Sequence, residues 1–183
     1  MLKVIAIIGA MLLAAVVVIL VIASRKPDDF RVTRSTLVQA PPEKIYPLIV
    51  DLHRWAAWSP YEKKDPAMTR TFSGAPSGVG AIYQWDGDKN VGSGRMEIVN
   101  VTEPSEGGPA KVVIKLDFFK PFEGHNTAEI TMVPKDGQTI VTWAMYGPSP
   151  YMSKLMGIFM DFDDMIGRDF AAGLAKLKAI VEK

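Results

Sequence analysis

The chain contains no cysteine, which removes disulfide scaffolding, thiolate nucleophiles, cysteine-ligated zinc and iron–sulfur clusters in one step. Histidine is scarce. His53 and His125 are the two imidazoles, so a three-histidine metal site cannot be assembled within one copy. Neither sign of charge dominates: the formal net charge of +1 creates no field that would draw a nucleic acid or an acidic polymer. No nucleic-acid partner, metal or other cofactor is therefore expected. Internal repeats and low-complexity tracts are missing too, and at 183 residues there is room for one folded domain beside a short N-terminal segment.

What is present is uneven. Residues 4–23 carry no charged or strongly polar side chain. A helix rises about 1.5 Å per residue, so roughly twenty such residues cover the ~30 Å hydrocarbon core of a bilayer. Thirteen of these positions are Val, Ile or Leu. At about 0.3–0.6 kcal/mol each they favour insertion by about 4–8 kcal/mol. The run exceeds the ~7–15 apolar residues of a secretory signal and lacks a small-x-small cleavage site, so a retained single-pass anchor is expected over residues 1–24. Residues 25–29 form a short polar linker, and residues 30–183 form the domain. The lipid bilayer is the partner expected for residues 4–23. Lys3 lies before the run, whereas Arg25, Lys26, Arg31 and Arg34 lie after it. Counting basic residues, the positive-inside rule predicts a cytoplasmic domain by a small margin that leaves the periplasmic side open.

Beyond the linker the hydrophobic period alternates between two and about 3.6. Residues 30–38 predict a strand. Pro41-Pro42-Glu43 opens a short helix through Val50, since proline suits the first turn and glutamate complements the helix dipole. Residues 52–58 predict a second short helix, stopped by Ser59-Pro60. Further strands are predicted over 68–72, 81–85, 94–101, 111–119, 128–133 and 139–146. Their connections, such as Pro134-Lys135-Asp136-Gly137, are too short for parallel crossovers, which gives an antiparallel meander. Over 151–181, Met152, Leu155, Met156, Phe159, Ile166, Phe170, Leu174, Leu177 and Val181 recur at helical steps and predict one long terminal helix. One sheet and one long helix must bury their apolar faces on each other, so the expected class is two-layer α+β.

Alternation assigns the inner face. Val112, Ile114, Leu116 and Phe118 share it, with Ala128, Ile130 and Met132 (and Asn126 in the same row), Val141, Trp143 and Met145, Tyr83 and Trp85, and Met96 and Ile98. A row rich in methionine and aromatic residues reads either as a filled core or as a ligand box, and periodicity leaves both open.

A strand ending in Arg34-Ser35-Thr36, the turn Ala40-Pro41-Pro42-Glu43-Lys44-Ile45-Tyr46, and then Asp51 and Trp55-Ala56-Ala57-Trp58-Ser59-Pro60, followed by a meander and a terminal helix, resembles the START/polyketide cyclase superfamily (SRPBCC proteins). The resemblance spans Phe30 to the C-terminus. It implies a helix-grip fold, with a seven-stranded curved sheet around the terminal helix and a pocket for lipids, polyketides or other apolar molecules between them. Trp55, Trp58, Tyr83, Trp85, Phe118, Asn126, Trp143, Met145, Phe159 and Phe162 are the residues it places near that pocket.

Members of that superfamily that close or dehydrate rings carry acid/base groups in the pocket. The candidates are His125, Asn126, Tyr83, Arg95 and the aspartates near Asp161. His125 opposes the apolar Ala128-Ile130-Met132 row, which predicts a surface or mouth position, and His53 is expected to cap or pack between helices. Asp161, Asp163 and Asp164 have no histidine at helical spacing and read as a solvated helix face. Gly92-Ser93-Gly94 lacks the lysine and the strand–helix setting of a phosphate loop. No catalytic residue is assigned. The leading expectation is a membrane-anchored binder or transporter of a hydrophobic or amphipathic small molecule, with the oligomeric state left open. The alternatives are a polyketide cyclase or dehydratase, and a non-catalytic membrane-tethered interaction module.

Overall fold

In the computed structural model, which describes residues 1–183 apart from the side chain of Leu2, the N-terminal apolar run forms helix α1 (Leu2–Ser24). Its Lys3–Ser24 portion, 22 residues, is long and apolar enough to cross a membrane, and none of its residues as far as Ile22 is buried against the rest of the chain. The linker turns directly into β1 (Asp29–Val38).

Helix α2 (Pro42–Val50) follows, with Pro42 in its first turn and Glu43 beside its positive end. The second short element is a 3₁₀ helix, Leu52–Ala57, rather than an α-helix. Asp51 caps it by accepting from the His53 N–H at 3.0 Å. A further 3₁₀ turn, Tyr61–Lys63, leads into the meander of β2 (Thr69–Gly74), β3 (Ala81–Asp86), β4 (Ser93–Thr102), β5 (Ala110–Lys120), β6 (Gly124–Lys135) and β7 (Gln138–Pro148). All neighbours are antiparallel, and the order is β1-β7-β6-β5-β4-β3-β2, so β1 closes onto the last strand. Asp136 and Gly137, both at positive φ, make the tight β6–β7 turn whose twist suits a hairpin. Bulges at Ser93/Gly94 and Ile98/Asn100 bend β4 and help the sheet to curl.

The C-terminal stripe does not form one continuous rod. A short helix, α3 (Tyr151–Met156), ends at Gly157, and α4 (Phe162–Val181) restarts after Asp161. The physical cause is a cap. The Asp161 carboxylate accepts from the Asp164 N–H at 2.9 Å, and Asp163 and Asp164 occupy the first turn, where negative charge suits the dipole. Helix α4 then buries Phe170, Gly173, Leu174 and Leu177 against the sheet. Each of the large side chains stabilises this contact by about 1.5–3 kcal/mol. The glycine permits the approach: a methyl on Gly173 would sit 2.9 Å from the Trp143 ring and 3.0 Å from Pro60. At the far end, Glu182 accepts from the Gln39 N–H at 2.7 Å and ties α4 to the close of β1.

The inner face follows the alternation. Val112, Ile114, Leu116, Ala128, Ile130, Met132, Val141, Trp143, Met145, Tyr83, Met96 and Ile98 are all buried. The result is a seven-stranded curved antiparallel sheet gripping a C-terminal helix, preceded by one long apolar helix.

Candidate functional site

The grip is not completely filled. Between the sheet, the 3₁₀ turns and α4 lies a cavity of about 200 Å³. For scale, a dry apolar cavity of about 150 Å³ holds a benzene molecule. Trp143 and Phe170 stack at 4.1 Å to form its floor beneath α4. Trp55 contributes a wall and meets Trp143 edge-on at 5.9 Å. Met96, Leu116, Ala128 and Met145 supply the sheet side, and Met68 closes the flank. Trp85, Phe118 and Val91 are half-buried, and with exposed Asn90 they form the mouth. The Trp85 ring is fixed there by donating from Nε1 to the Val91 carbonyl at 3.1 Å and by an edge contact with Phe118 at 5.8 Å.

A hydrogen-bonded polar cluster interrupts these walls. The Tyr83 hydroxyl donates to Glu62 Oε1 at 2.7 Å, and Arg70 Nε donates to Glu62 Oε2 at 2.7 Å. The Glu62 side chain is only 10% exposed, so a carboxylate there needs both partners. Burial, then the Glu62 contact, pushes the Tyr83 phenol well above its usual range, and the hydrogen bond to Glu62 raises Arg70. The phenol therefore stays protonated at neutral pH. Its proton is committed to Glu62, which leaves its oxygen lone pairs able to accept. Buried Ser59 adds a second small polar group to the lining.

Of the residues singled out from sequence, Trp55, Tyr83, Trp85, Phe118, Trp143 and Met145 come together around the cavity. Four do not line it. Trp58 is completely buried one layer behind, packed on Trp55 at 4.7 Å and Trp143 at 5.3 Å, with Nε1 donating to the Leu48 carbonyl. Asn126 keeps the parity of the inner row, but its amide lies across the bare backbone of Gly147 on β7. Phe162 begins α4 half-buried, outside the lining. Phe159 is 71% exposed because the break before α4 swings it off the helical stripe.

Glu62, Arg70, Met68 and Phe170 were not among those expected. Phe170 was legible in the helical stripe. The Glu62–Arg70–Tyr83 cluster was not, since it joins an irregular turn to two strands through long-range contacts.

The other polar candidates lie elsewhere. His125 is exposed on the outer face, with Nδ1 at 2.7 Å from the Asp117 carboxylate. Burial pushes Asp117 up, but hydrogen bonds to His125 and Lys115 outweigh it and hold the carboxyl below its ordinary value. Arg95 pairs with Glu97 at 2.7 Å. His53 stacks on Phe72 at 4.1 Å beside Asp51. No group of three metal-ligating side chains occurs among the described residues. Trp143 Nε1 has no hydrogen-bond partner among them; the edge-on rings of Trp55 and Trp58 flank its indole.

A curved antiparallel sheet wrapped on a terminal helix around an apolar cavity defines the helix-grip class. Residues 29–182 match the family model described as polyketide cyclase / dehydrase and lipid transport, and the chain belongs to that family. No curated protein sequence matches it. Among solved structures, a protein of Helicobacter pylori is similar with a TM-score of 0.62 at 8% identity, covering 83% of this chain and 88% of its own. The ginseng major latex-like protein 151 from Panax ginseng gives 0.58 at 12% identity, covering 86% and 100%. A Thermobifida fusca protein gives 0.56 at 21% identity, covering 82% and 92%. At these identities the likeness is one of fold.

Proposed function

We propose that this protein is a membrane-anchored binder or carrier of a hydrophobic small molecule that carries one hydrogen-bond donor. The observation that carries the reading is the unfilled apolar cavity with the Tyr83–Glu62 pair set into its wall. Trp55, Tyr83, Trp85, Phe118, Trp143 and Met145, joined by Met96, Ala128 and Phe170, would hold the apolar body of the guest. The Tyr83 oxygen, its proton engaged by Glu62, would accept from a hydroxyl or N–H on the guest. Family membership supports the same reading at a coarser level, because the family takes in lipid transport as well as cyclase and dehydrase members. Helix α1 would hold the domain at the bilayer, where apolar guests partition and their local concentration is high. The basic residues after α1 favour the cytoplasmic face.

Native mass spectrometry of the full chain after gentle extraction tests this. A co-purifying small molecule is expected. A domain that is consistently empty, and that also fails to take up a fluorescent fatty acid, contradicts the proposal.

For a cyclase or dehydratase reading, only Tyr83 of the acid/base candidates read from the sequence lines the cavity, since His125 and Arg95 lie outside it. A phenol pushed above its usual range is a weak acid, and Glu62 has both oxygens engaged, so this reading asks more of the same residues.

A further inference from the structure

Strand polarity fixes which end of the sheet lies next to α1. β1 begins at Asp29, just after α1 ends, and pairs there with Pro148 at the end of β7. In an all-antiparallel sheet the same edge must carry the start of β6, the end of β5, the start of β4 and the end of β3. The β5–β6 and β3–β4 loops therefore leave the domain on the anchor side. Asn90 and Val91 lie in the β3–β4 loop, and Trp85 and Phe118 lie at the strand ends that flank it. The mouth of the cavity and the attachment of α1 share one end of the molecule.

The same end is unusually apolar on its surface. Phe122, 62% exposed, projects from the β5–β6 loop beside exposed Phe119. Tyr151, Met152, Phe159 and Met160 are exposed on α3 and the turn after it. Single exposed apolar residues are ordinary. Elsewhere they are mostly isolated aliphatic residues, Leu37, Val79, Val99 and Val133, and Phe72 is stacked between His53 and Tyr83.

Two contacts set the depth of this surface. The Tyr151 hydroxyl donates to the Leu20 carbonyl at 3.0 Å, and Ala23 nearby is fully buried. Leu20 lies inside the apolar run, three residues, or ~4.5 Å, before its end. Lys26 Nζ donates to the Gly157 carbonyl, which ties the turn bearing Phe159 to the end of α1. Phe122 follows β5, three strands from β1, or about 15 Å away at ~4.8 Å per strand. If α1 spans a bilayer, Tyr151 sits at the hydrocarbon edge and the other aromatic residues lie within reach of it.

We propose that this end of the domain docks into the bilayer interface, with Tyr151, Phe159 and Phe122 as the inserted groups, so that the cavity opens onto lipid rather than water. The proposal rests on the reading of α1 as a membrane anchor. A lipid surface is the occupant because the patch continues directly from α1, and because aromatic side chains favour the headgroup level. The size of the cavity gives the arrangement a use. About 200 Å³ encloses one ring or a short hydrocarbon segment. A longer guest would keep its remainder in the bilayer while its end is gripped, and could exchange without crossing water.

The absence of cysteine makes single-cysteine spin labelling clean. Leu12→Cys, Phe122→Cys, Phe159→Cys and Lys135→Cys, each in the full chain, are reconstituted into phosphatidylcholine–phosphatidylglycerol vesicles. Collision of the label with dissolved oxygen, which enters lipid, is compared with collision with a charged nickel chelate, which stays in water. The oxygen-to-nickel ratio at Phe122 and Phe159 should exceed that at Lys135, on the opposite edge, several-fold and approach that at Leu12. Water-like ratios at Phe122 and Phe159 with a lipid-like Leu12 overturn the docking and leave the anchor standing. A water-like Leu12 overturns the anchor, and the docking with it.

Discussion

The Tyr83 hydroxyl lies 2.7 Å from Glu62 Oε1, so the one buried carboxylate on the cavity wall is held by a phenol on one side and by Arg70 on the other. Removing the phenol oxygen leaves a buried acceptor half-satisfied. Tyr83→Phe should cost about 1–3 kcal/mol, read as a lower urea midpoint with unchanged slope. It should also weaken guests that carry a hydroxyl more than those without one.

Ala128 faces the cavity with no side chain beyond its methyl group. Ala128→Leu should fill part of the void. We expect stability to stay within about 1 kcal/mol of the parent, because the added carbons enter empty space rather than a packed core. Uptake of a fluorescent fatty acid should fall at least about tenfold, equivalent to ~1.4 kcal/mol. Isothermal titration together with thermal denaturation of the same sample checks both.

Helix α4 lies on Trp143 because Gly173 has no side chain. Gly173→Ala gains up to about 1 kcal/mol of helix propensity but drives a methyl group into Trp143 and Pro60. Overpacking of this kind costs about 1–3 kcal/mol, so net destabilisation is expected. The near-ultraviolet circular dichroism of the tryptophan cluster should change with it.

His125 and Asp117 make the domain's stability depend on pH. The hydrogen bond to Asp117, aided by its charge, raises the imidazole above its ordinary 6.5. Asp117 is held below its ordinary 3.8. The raised histidine contributes stability that is fully present below 6.5 and is lost as pH rises through its folded value. The depressed aspartate contributes above 3.8 and is lost as pH falls through its own. The pair is therefore most effective between those limits. An NMR titration should place His125 above 6.5, and Asp117→Asn should return it toward that figure.

The sheet was legible in the sequence because alternation is a local signal. In β5, Val112, Ile114 and Leu116 point inward and Lys115 outward in the residue pattern as in the fold. The aromatic part of the cavity wall was legible for the same reason. Phe159 departs from the helical stripe because Gly157 ends α3 and the Asp161 cap restarts the helix, a local signal that competes with the apolar spacing. Glu62 could not be recognised, since its meaning comes from Tyr83, twenty-one residues away in sequence, and from Arg70 on another strand. The void itself is a difference between enclosed volume and side-chain volume, which no pattern along the chain encodes.

Three of the four tryptophans, Trp55, Trp85 and Trp143, line the cavity, Trp58 packs directly behind, and α1 contains none. Intrinsic fluorescence of the full chain in vesicles therefore reports the interior of the grip. Titration with a brominated fatty acid, whose bromine quenches only at contact, should give saturable quenching in the parent and little in Ala128→Leu. Emission that stays unquenched throughout the titration, or falls linearly and equally in both proteins, would contradict a guest inside the cavity.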